Sequence, residues 1–155
     1  MYQWVVFLHI LAAFGFALAH GASVAVLLKL RTERDRERIR TLLELSGASM
    51  RGFYGSILVL LGAGIVAGFL GNWWGMLWIW LALALFLAIA VLMYPLASLH
   101  FRRIGNAVKL RPSGAPMASD EEIEELLRSR RVALIAAVGY GGFVVILWLM
   151  RFKPF

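Results

Sequence analysis

The sequence predicts an all-α fold, a bundle of four transmembrane helices, and three observations indicate it. Of the 155 residues, 61% are hydrophobic and 16% are charged, whereas only about half of the residues of a soluble domain are apolar. The chain contains four long apolar runs, each close to the ~20 residues with which an α-helix crosses ~30 Å of hydrocarbon. All nine acidic residues lie between these runs, so the predicted spans carry no carboxylate.

The four runs divide a single membrane domain, residues 1–155, into spans and connections. The predicted spans are Trp4–Leu28, Phe53–Gly71, Met76–Leu99 and Val132–Met150. The first lacks the positive leading segment and the cleavage site of a secretory signal, and it is longer than the apolar part of one. We therefore expect helix 1 to remain in the mature protein, and the four spans to run up and down through the membrane.

The distribution of basic residues predicts the orientation. Of the 16 Lys and Arg residues, 14 lie in or beside the two long connections, 29–52 and 100–131. Basic connections remain in the cytoplasm, so we expect both termini on the non-cytoplasmic side of a bacterial inner membrane. The tryptophans support this orientation, because indole rings favour the membrane interface. They lie near the predicted outer ends of the spans, at Trp4, Trp73, Trp74, Trp78, Trp80 and Trp148.

The connections carry signals of local structure. The turn GNWWG, Gly71–Gly75, is so short that we expect helices 2 and 3 to form a tight antiparallel hairpin. In RTERDRERIR, residues 31–40, opposite charges recur at i,i+3 and predict that helix 1 extends into the cytoplasm. Ser119 and Glu122 have the spacing of a capping box, and we expect the helix that they begin to continue unbroken into helix 4.

Absent residue types exclude several functions. The chain has no cysteine, which excludes disulfides, thiolate metal sites and cysteine nucleophiles. Without an acidic residue in a span, a carboxylate proton relay and cation-coupled transport are disfavoured. The net charge is +7, but the basic connections also hold every acidic residue, and no aromatic residues are interleaved among the arginines for base stacking. The expected partners are therefore the lipid bilayer and other membrane helices, not nucleic acid.

Two histidines in the first span are the candidate functional residues. His9 and His20 are 11 residues apart, so they share a helix face at a separation of ~16 Å. His20 lies roughly 12 Å inside the predicted boundary of its span, where a polar group faces the bundle interior and finds a partner. Depth counts along the other spans place Tyr140 at the level of His20, together with several glycines. These are Gly62, Gly64, Gly139, Gly141 and Gly142.

Glycines at the height of a buried imidazole have two explanations, which the sequence leaves open. Either their bare backbones admit neighbouring helices, with a hydrogen bond from Tyr140 to His20, or they leave room for a planar cofactor, haem b, with His20 as ligand. Haem takes a second axial ligand at the same depth. His100 is predicted to lie nearer the membrane surface, as an interfacial residue beside Arg102 and Arg103, so His20 of a second copy is the remaining histidine candidate.

A second candidate site, for a metal, lies at the other end of the first span. Met76 and Met150 fall within about one helical turn of the level of His9. An imidazole together with a thioether suits haem iron or copper(I).

Three stretches also carry a resemblance to a known family. They are VVFLHILAAFGFALAHGASVAVLLKLRTERDRERIRTLLELS near the start of the chain, the turn GNWWG, and MYPLAS in helix 3. With these stretches the chain resembles an uncharacterised family of small bacterial four-helix membrane proteins, and it is distantly similar to the copper-resistance D-type membrane group. The resemblance implies a four-span bundle without an established activity.

These observations lead to three expectations of function. The first is a non-enzymatic accessory subunit that packs glycine-lined helix faces against other helices, in a homo-oligomer or in a larger bacterial membrane complex. The second is a haem b protein that exchanges electrons with quinone, with His20 as a ligand. The third is passage of copper along the helix face of His9 and His20.

Overall fold

A computed structural model of the chain describes all 155 residues, which form six α-helices and no β-strand. The helices are α1 (Tyr2–Leu30), α2 (Arg36–Leu70), α3 (Leu77–Met93), α4 (Leu99–Ala107), α5 (Asp120–Leu127) and α6 (Arg131–Phe152). A π-helical turn, Tyr94–Ser98, joins α3 to α4 without a break. The predicted all-helical class is confirmed, because the structure contains helices and no strand. Four segments are also apolar and long enough to cross a membrane. These segments are Tyr2–Leu30, Arg36–Leu70, Leu77–Ala107 and Asp120–Phe152.

The long helices form two pairs, and the two ends of the molecule differ in chemistry. α1 packs along α2, α3 packs along α6, and a contact between α1 and α6 joins the pairs. One end, which we call the turn end, holds the short 3₁₀ turn Trp73–Gly75 between α2 and α3. The opposite end, which we call the charged end, holds the connections 31–35 and 108–119.

α2 and α3 do not pack along their lengths, so the predicted hairpin of helices 2 and 3 is wrong. Each contacts the turn that joins them, but neither follows the other beyond it. Indole rings of the turn lie between the helix ends. Trp74 lies against Gly68, with its ring centroid 5.3 Å from that of Phe69, and the Trp73 centroid is 5.5 Å from that of Trp78. Two bulky rings in this place keep the helix axes apart.

The charged segment after α1 begins a new helix instead of extending α1, which corrects the sequence prediction. α1 ends at Leu30, and α2 begins after Asp35, whose carboxylate accepts a hydrogen bond from the backbone N–H of Arg38 at 2.9 Å. An aspartate in this position stabilises a helix N-terminus. The Glu33 carboxylate accepts hydrogen bonds from the backbone N–H groups of Arg34 and Asp35, which lower the pKa of Glu33. The turn between the two helices is held by these side-chain acceptors.

α5 is a separate helix and does not run unbroken into α6. The predicted capping box is present, because Ser119 Oγ accepts from the Glu122 N–H at 3.2 Å and the Glu122 carboxylate accepts from the Ser119 N–H at 2.9 Å. The helix ends at Leu127, and the Ser129 hydroxyl accepts a hydrogen bond from the backbone N–H of Arg131 at the start of α6. A serine that bonds the backbone in this way competes with a continuous helix.

Polar contacts join α1 to α2 along their lengths. Toward the turn end, His9 Nδ1 donates to the carbonyl oxygen of Leu60 at 2.8 Å. Toward the charged end, the Ser46 hydroxyl donates to Ser23 Oγ at 3.2 Å, and Ser49 Oγ lies 3.4 Å from the same atom. Residue numbers rise along α1 as they fall along α2, so these contacts define an antiparallel register.

The most deeply buried side chains lie at the charged end, where α1, α2, α4, α5 and α6 meet. They form one apolar cluster of Val26, Leu27, Leu30, Ile39, Ile104, Ala107, Ile123, Leu127, Val132 and Ile135. Two ion pairs lie at its margin, Arg34 with Glu124 at 3.0 Å and Arg36 with Asp120 at 2.6 Å. Both attach α5 to the segment around the start of α2, so α5 covers the cluster.

Aromatic residues close the turn end. Lys153, which follows α6 in a left-handed conformation, places its ammonium 3.8 Å from the ring centroid of Trp73 and 5.6 Å from that of Trp78. Tyr2 lies edge-on to Trp73 at 5.8 Å. A cation–π contact contributes about 0.5–2 kcal/mol. These contacts bring the ends of α1, α3 and α6 to the turn.

We expect Ile39→Ala to lower the free energy of unfolding by about 2–5 kcal/mol, because Ile39 is fully buried in the apolar cluster. The control is Leu58→Ala, since Leu58 is on the same helix and is 73% exposed; its effect should stay within about 0.5 kcal/mol. Unfolding of the detergent-solubilised protein, followed by circular dichroism, measures both. Equal losses would contradict the position of the core.

Candidate functional site

His20 lies in the contact between α1 and α6. The residue is buried, with 7% of its surface exposed. Its imidazole is stacked on Phe16, with the ring planes 5° apart and the centroids 6.2 Å apart. Tyr140 meets the imidazole edge-on, with 5.1 Å between the centroids. Nε2 has no hydrogen-bond partner, so aromatic packing positions this ring.

Gly139 provides the space that the imidazole occupies. A β-carbon at this position would overlap with Nε2 of His20. Gly142, one turn further along α6, has the same role toward α3, because a β-carbon there would overlap with the side chain of Ile89. Both glycines therefore admit a neighbouring side chain, one from each flanking helix, as the packing explanation requires.

The predicted hydrogen bond from Tyr140 to His20 is absent, so that prediction is wrong. Tyr140 follows Gly139 along α6, and consecutive helical residues point ~100° apart. Gly139 already faces Nε2, so the Tyr140 ring passes beside the imidazole instead of reaching it end-on. Its hydroxyl lies against the backbone of Gly21, where an added β-carbon would be 3.0 Å from the oxygen.

Two of the predicted glycines do not lie at the level of His20. A β-carbon added to Gly64 would be 3.0 Å from Cε1 of His9, so Gly64 packs against the other histidine. Gly62 faces open space. The depth count began at Phe53, whereas α2 begins at Arg36. The α1–α2 register pairs Ser23 with Ser46 and Ser49, which puts the level of His20 nearer the start of α2 than the count indicated.

The remaining predicted residues lie on α1, on α6 and just before α3. His9 uses Nδ1 for its hydrogen bond to Leu60. Met76 precedes α3 and is 42% exposed, Met150 is half-buried in α6, and Gly141 faces open space. Nowhere do three potential metal ligands among His, Asp and Glu come together.

His100 is the buried polar residue that the sequence prediction missed. It was expected at the membrane surface, but only 2% of it is exposed, and its Nε2 has no hydrogen-bond partner. The π-helical turn carries the helix on past Ser98, and His100 then lies on the inward face of α4 with Ile104 and Ala107. The spacing i, i+4, i+7 of these three residues was the available signal.

The residues around His20 do not fit a haem in this arrangement. An axial ligand must present its nitrogen to the iron, but Gly139 covers Nε2. An iron atom reaches this nitrogen only if α1 and α6 separate. The other two histidines lie elsewhere, His9 against Gly64 and His100 in α4. The His20 site is therefore a packing contact between helices.

The fold defines a class of protein: an all-helical chain with four segments long and apolar enough to cross a membrane. In this chain, α1 contacts α6 where His20 packs against Gly139. Comparisons of the chain with protein-family models, with curated proteins and with solved structures found no match.

We expect Gly139→Ala to destabilise the protein by about 1–3 kcal/mol, the usual cost of overpacking a close contact. Gly141→Ala is the matched control on the same helix, since a β-carbon there meets nothing within 4 Å. Removing the imidazole with His20→Ala should abolish most of the cost of Gly139→Ala. A double-mutant cycle of unfolding free energies measures this coupling, and additive losses would contradict the contact.

Proposed function

We propose that the protein is a small, non-enzymatic, multi-pass membrane protein that serves as a packing subunit in a homo-oligomer of the bacterial inner membrane. The observation that carries the proposal is a set of open glycines on α2, of which Gly55 and Gly62 lie in its apolar part. A β-carbon added at any of them meets nothing within 4 Å: Gly47, Gly52, Gly55 and Gly62. Bare backbone on the outside of an apolar helix is typical of helix–helix interfaces in membranes.

The position of α2 supports this proposal. α1 is the one helix that packs along the length of α2, and α4 and α5 contact α2 only near the charged end. Gly55 and Gly62 are seven residues apart, nearly two helical turns, so they share one face. Gly64 and Gly68, which have GxxxG spacing, are already filled by His9 and Trp74. The glycines within the chain's own contacts and the glycines available to a second copy are therefore different residues.

The double variant Gly55→Leu/Gly62→Leu should dissociate the oligomer, because leucine side chains prevent close approach of a second α2 helix. Gly141→Leu is the matched control, since it adds the same side chain at an open glycine of α6. Light scattering of the protein purified in detergent measures the particle mass. A monomeric unmodified protein, or dissociation by Gly141→Leu alone, would contradict the proposed face.

We also propose that both termini lie on the non-cytoplasmic side. Of the 16 basic residues, 14 lie within residues 29–52 and 100–131, the two ranges that include the connections of the charged end, and basic connections stay in the cytoplasm. At the turn end, Trp73 and Trp78 surround the ammonium of Lys153. Tryptophan and lysine together suit the membrane–water interface.

The absence of cysteine from the chain allows a direct test of this orientation with single cysteines. Ser113 lies in the exposed connection at the charged end, and Phe155 is exposed beyond α6. A membrane-impermeant maleimide should label Phe155→Cys in intact spheroplasts, and should label Ser113→Cys only after lysis. The reverse pattern would overturn the proposed orientation.

The other two candidate functions have no geometric support. A haem on His20 requires α1 and α6 to separate, and a path for copper along His9 and His20 begins at an imidazole already bonded to Leu60.

A further inference from the structure

One face of α4 forms an open, basic groove. The groove is a shallow surface depression, open to its surroundings and lined by four residues of α4 and the segment just after it: Arg102, Gly105, Asn106 and Lys109. Arg102, Gly105 and Asn106 have the spacing i, i+3, i+4 and share one side of the helix, and Lys109 lies two residues after the helix ends. The opposite side, with His100 among its residues, is buried in the protein. Gly105 lacks a side chain and leaves the middle of the groove free.

The cations of this groove have no acidic partner. The four ion pairs of the structure are Arg34–Glu124, Arg36–Asp120, Arg40–Glu44 and Arg128–Glu124. Arg102 and Lys109 belong to none of them, and Lys109 Nζ donates only to the neutral Oδ1 of Asn106, at 3.0 Å. The groove therefore keeps its positive charge and attracts an anion.

A second groove differs from the α4 groove in the pairing of its charges. It lies between the start of α2 and α5, has a volume of about 170 Å³, and is lined by both arginines and carboxylates. Arg36 and Asp120 pair there, as do Arg34 and Glu124. Basic residues are thus neutralised at α5 and left free at α4.

Two exposed apolar residues lie in the segment that follows α4. Leu110 is 62% exposed and Met117 is 49% exposed. The backbone N–H of Met117 donates to the carbonyl oxygen of Lys109 at 3.0 Å, so both apolar residues lie close to Lys109. A free phosphate ion gains nothing from apolar neighbours, whereas a phospholipid brings acyl chains to them. α4 also follows directly from the apolar helix α3, where a membrane helix reaches the headgroups.

The geometry points to a binding site for the phosphate headgroup of an anionic phospholipid in the α4 groove. Arg102 and Lys109 hold the phosphate from two sides, the Asn106 amide contributes a hydrogen-bond donor, and Leu110 and Met117 contact the acyl region. The site rests on the membrane insertion proposed above and not on the oligomer.

Native mass spectrometry of the detergent-solubilised full chain tests the site, with phosphatidylglycerol and phosphatidylcholine as probes. Arg102→Gln/Lys109→Gln should weaken phosphatidylglycerol binding about thirtyfold, since a basic residue near anionic lipid contributes on the order of fivefold. Arg31→Gln/Arg38→Gln is the matched control, because it removes two exposed arginines that belong to no ion pair. This control should bind as the unmodified protein does.

A second variant tests the shape of the groove without a change of charge. Gly105→Ala adds a methyl group to the groove, and the added β-carbon lies 4.0 Å from its nearest neighbour, Leu43, an ordinary van der Waals contact. We expect it to weaken phosphatidylglycerol binding as well. Equal loss in the Arg31/Arg38 control, equal binding of phosphatidylcholine, or displacement of the lipid by millimolar inorganic phosphate would each overturn the proposal. Dissociation of the oligomer leaves these comparisons unchanged, so the two proposals fail separately.

Discussion

The two helix pairs become one structure where the imidazole of His20 lies on the bare backbone of Gly139. Each pair has contacts of its own, the serine hydrogen bonds between α1 and α2 and the fit of Ile89 to Gly142 between α3 and α6. The α1–α6 contact adds aromatic packing, with the tilted rings of Phe16 and Phe143 at 5.8 Å between centroids. An unpaired polar atom in such a place costs on the order of 1–3 kcal/mol, which close ring packing must offset. A side chain at position 139 would remove that packing.

Contacts at the two ends of the molecule add stability that the α1–α6 contact in its middle does not provide. In a bilayer, apolar burial between helices gains little, because lipid tails are as apolar as leucine. The largest apolar cluster accordingly lies at the charged end, where α5 and its ion pairs cover it. At the turn end, Lys153 and the indoles hold the termini of three helices together. Between these ends, specific small contacts determine the arrangement.

The sequence was sufficient for the helical class and for one helix start, because hydropathy and the Ser119–Glu122 capping box are local properties. It was insufficient where a residue's role depends on a neighbouring helix. The turn at Gly71–Gly75 correctly joined α2 and α3 but could not reveal that Trp73 and Trp74 fill the space between them. Tyr140 was matched to His20 by depth, which contains no information about direction around the helix. The burial of His100 was missed because the predicted span ended at Leu99, whereas the helix continues to Ala107.

The same limit explains why glycine spacing alone misidentifies an interface. Gly64 and Gly68 have the spacing of a dimerisation motif, yet His9 and Trp74 fill them within the chain. Gly55 and Gly62 have no such motif, yet they are open on a helix with one lengthwise partner. A glycine on a helix indicates an interface with another chain only when no atom of its own chain already fills the space beside it. For α2, the unfilled positions and the missing neighbour lie on the same helix, and that coincidence is the physical reason to expect a second copy there.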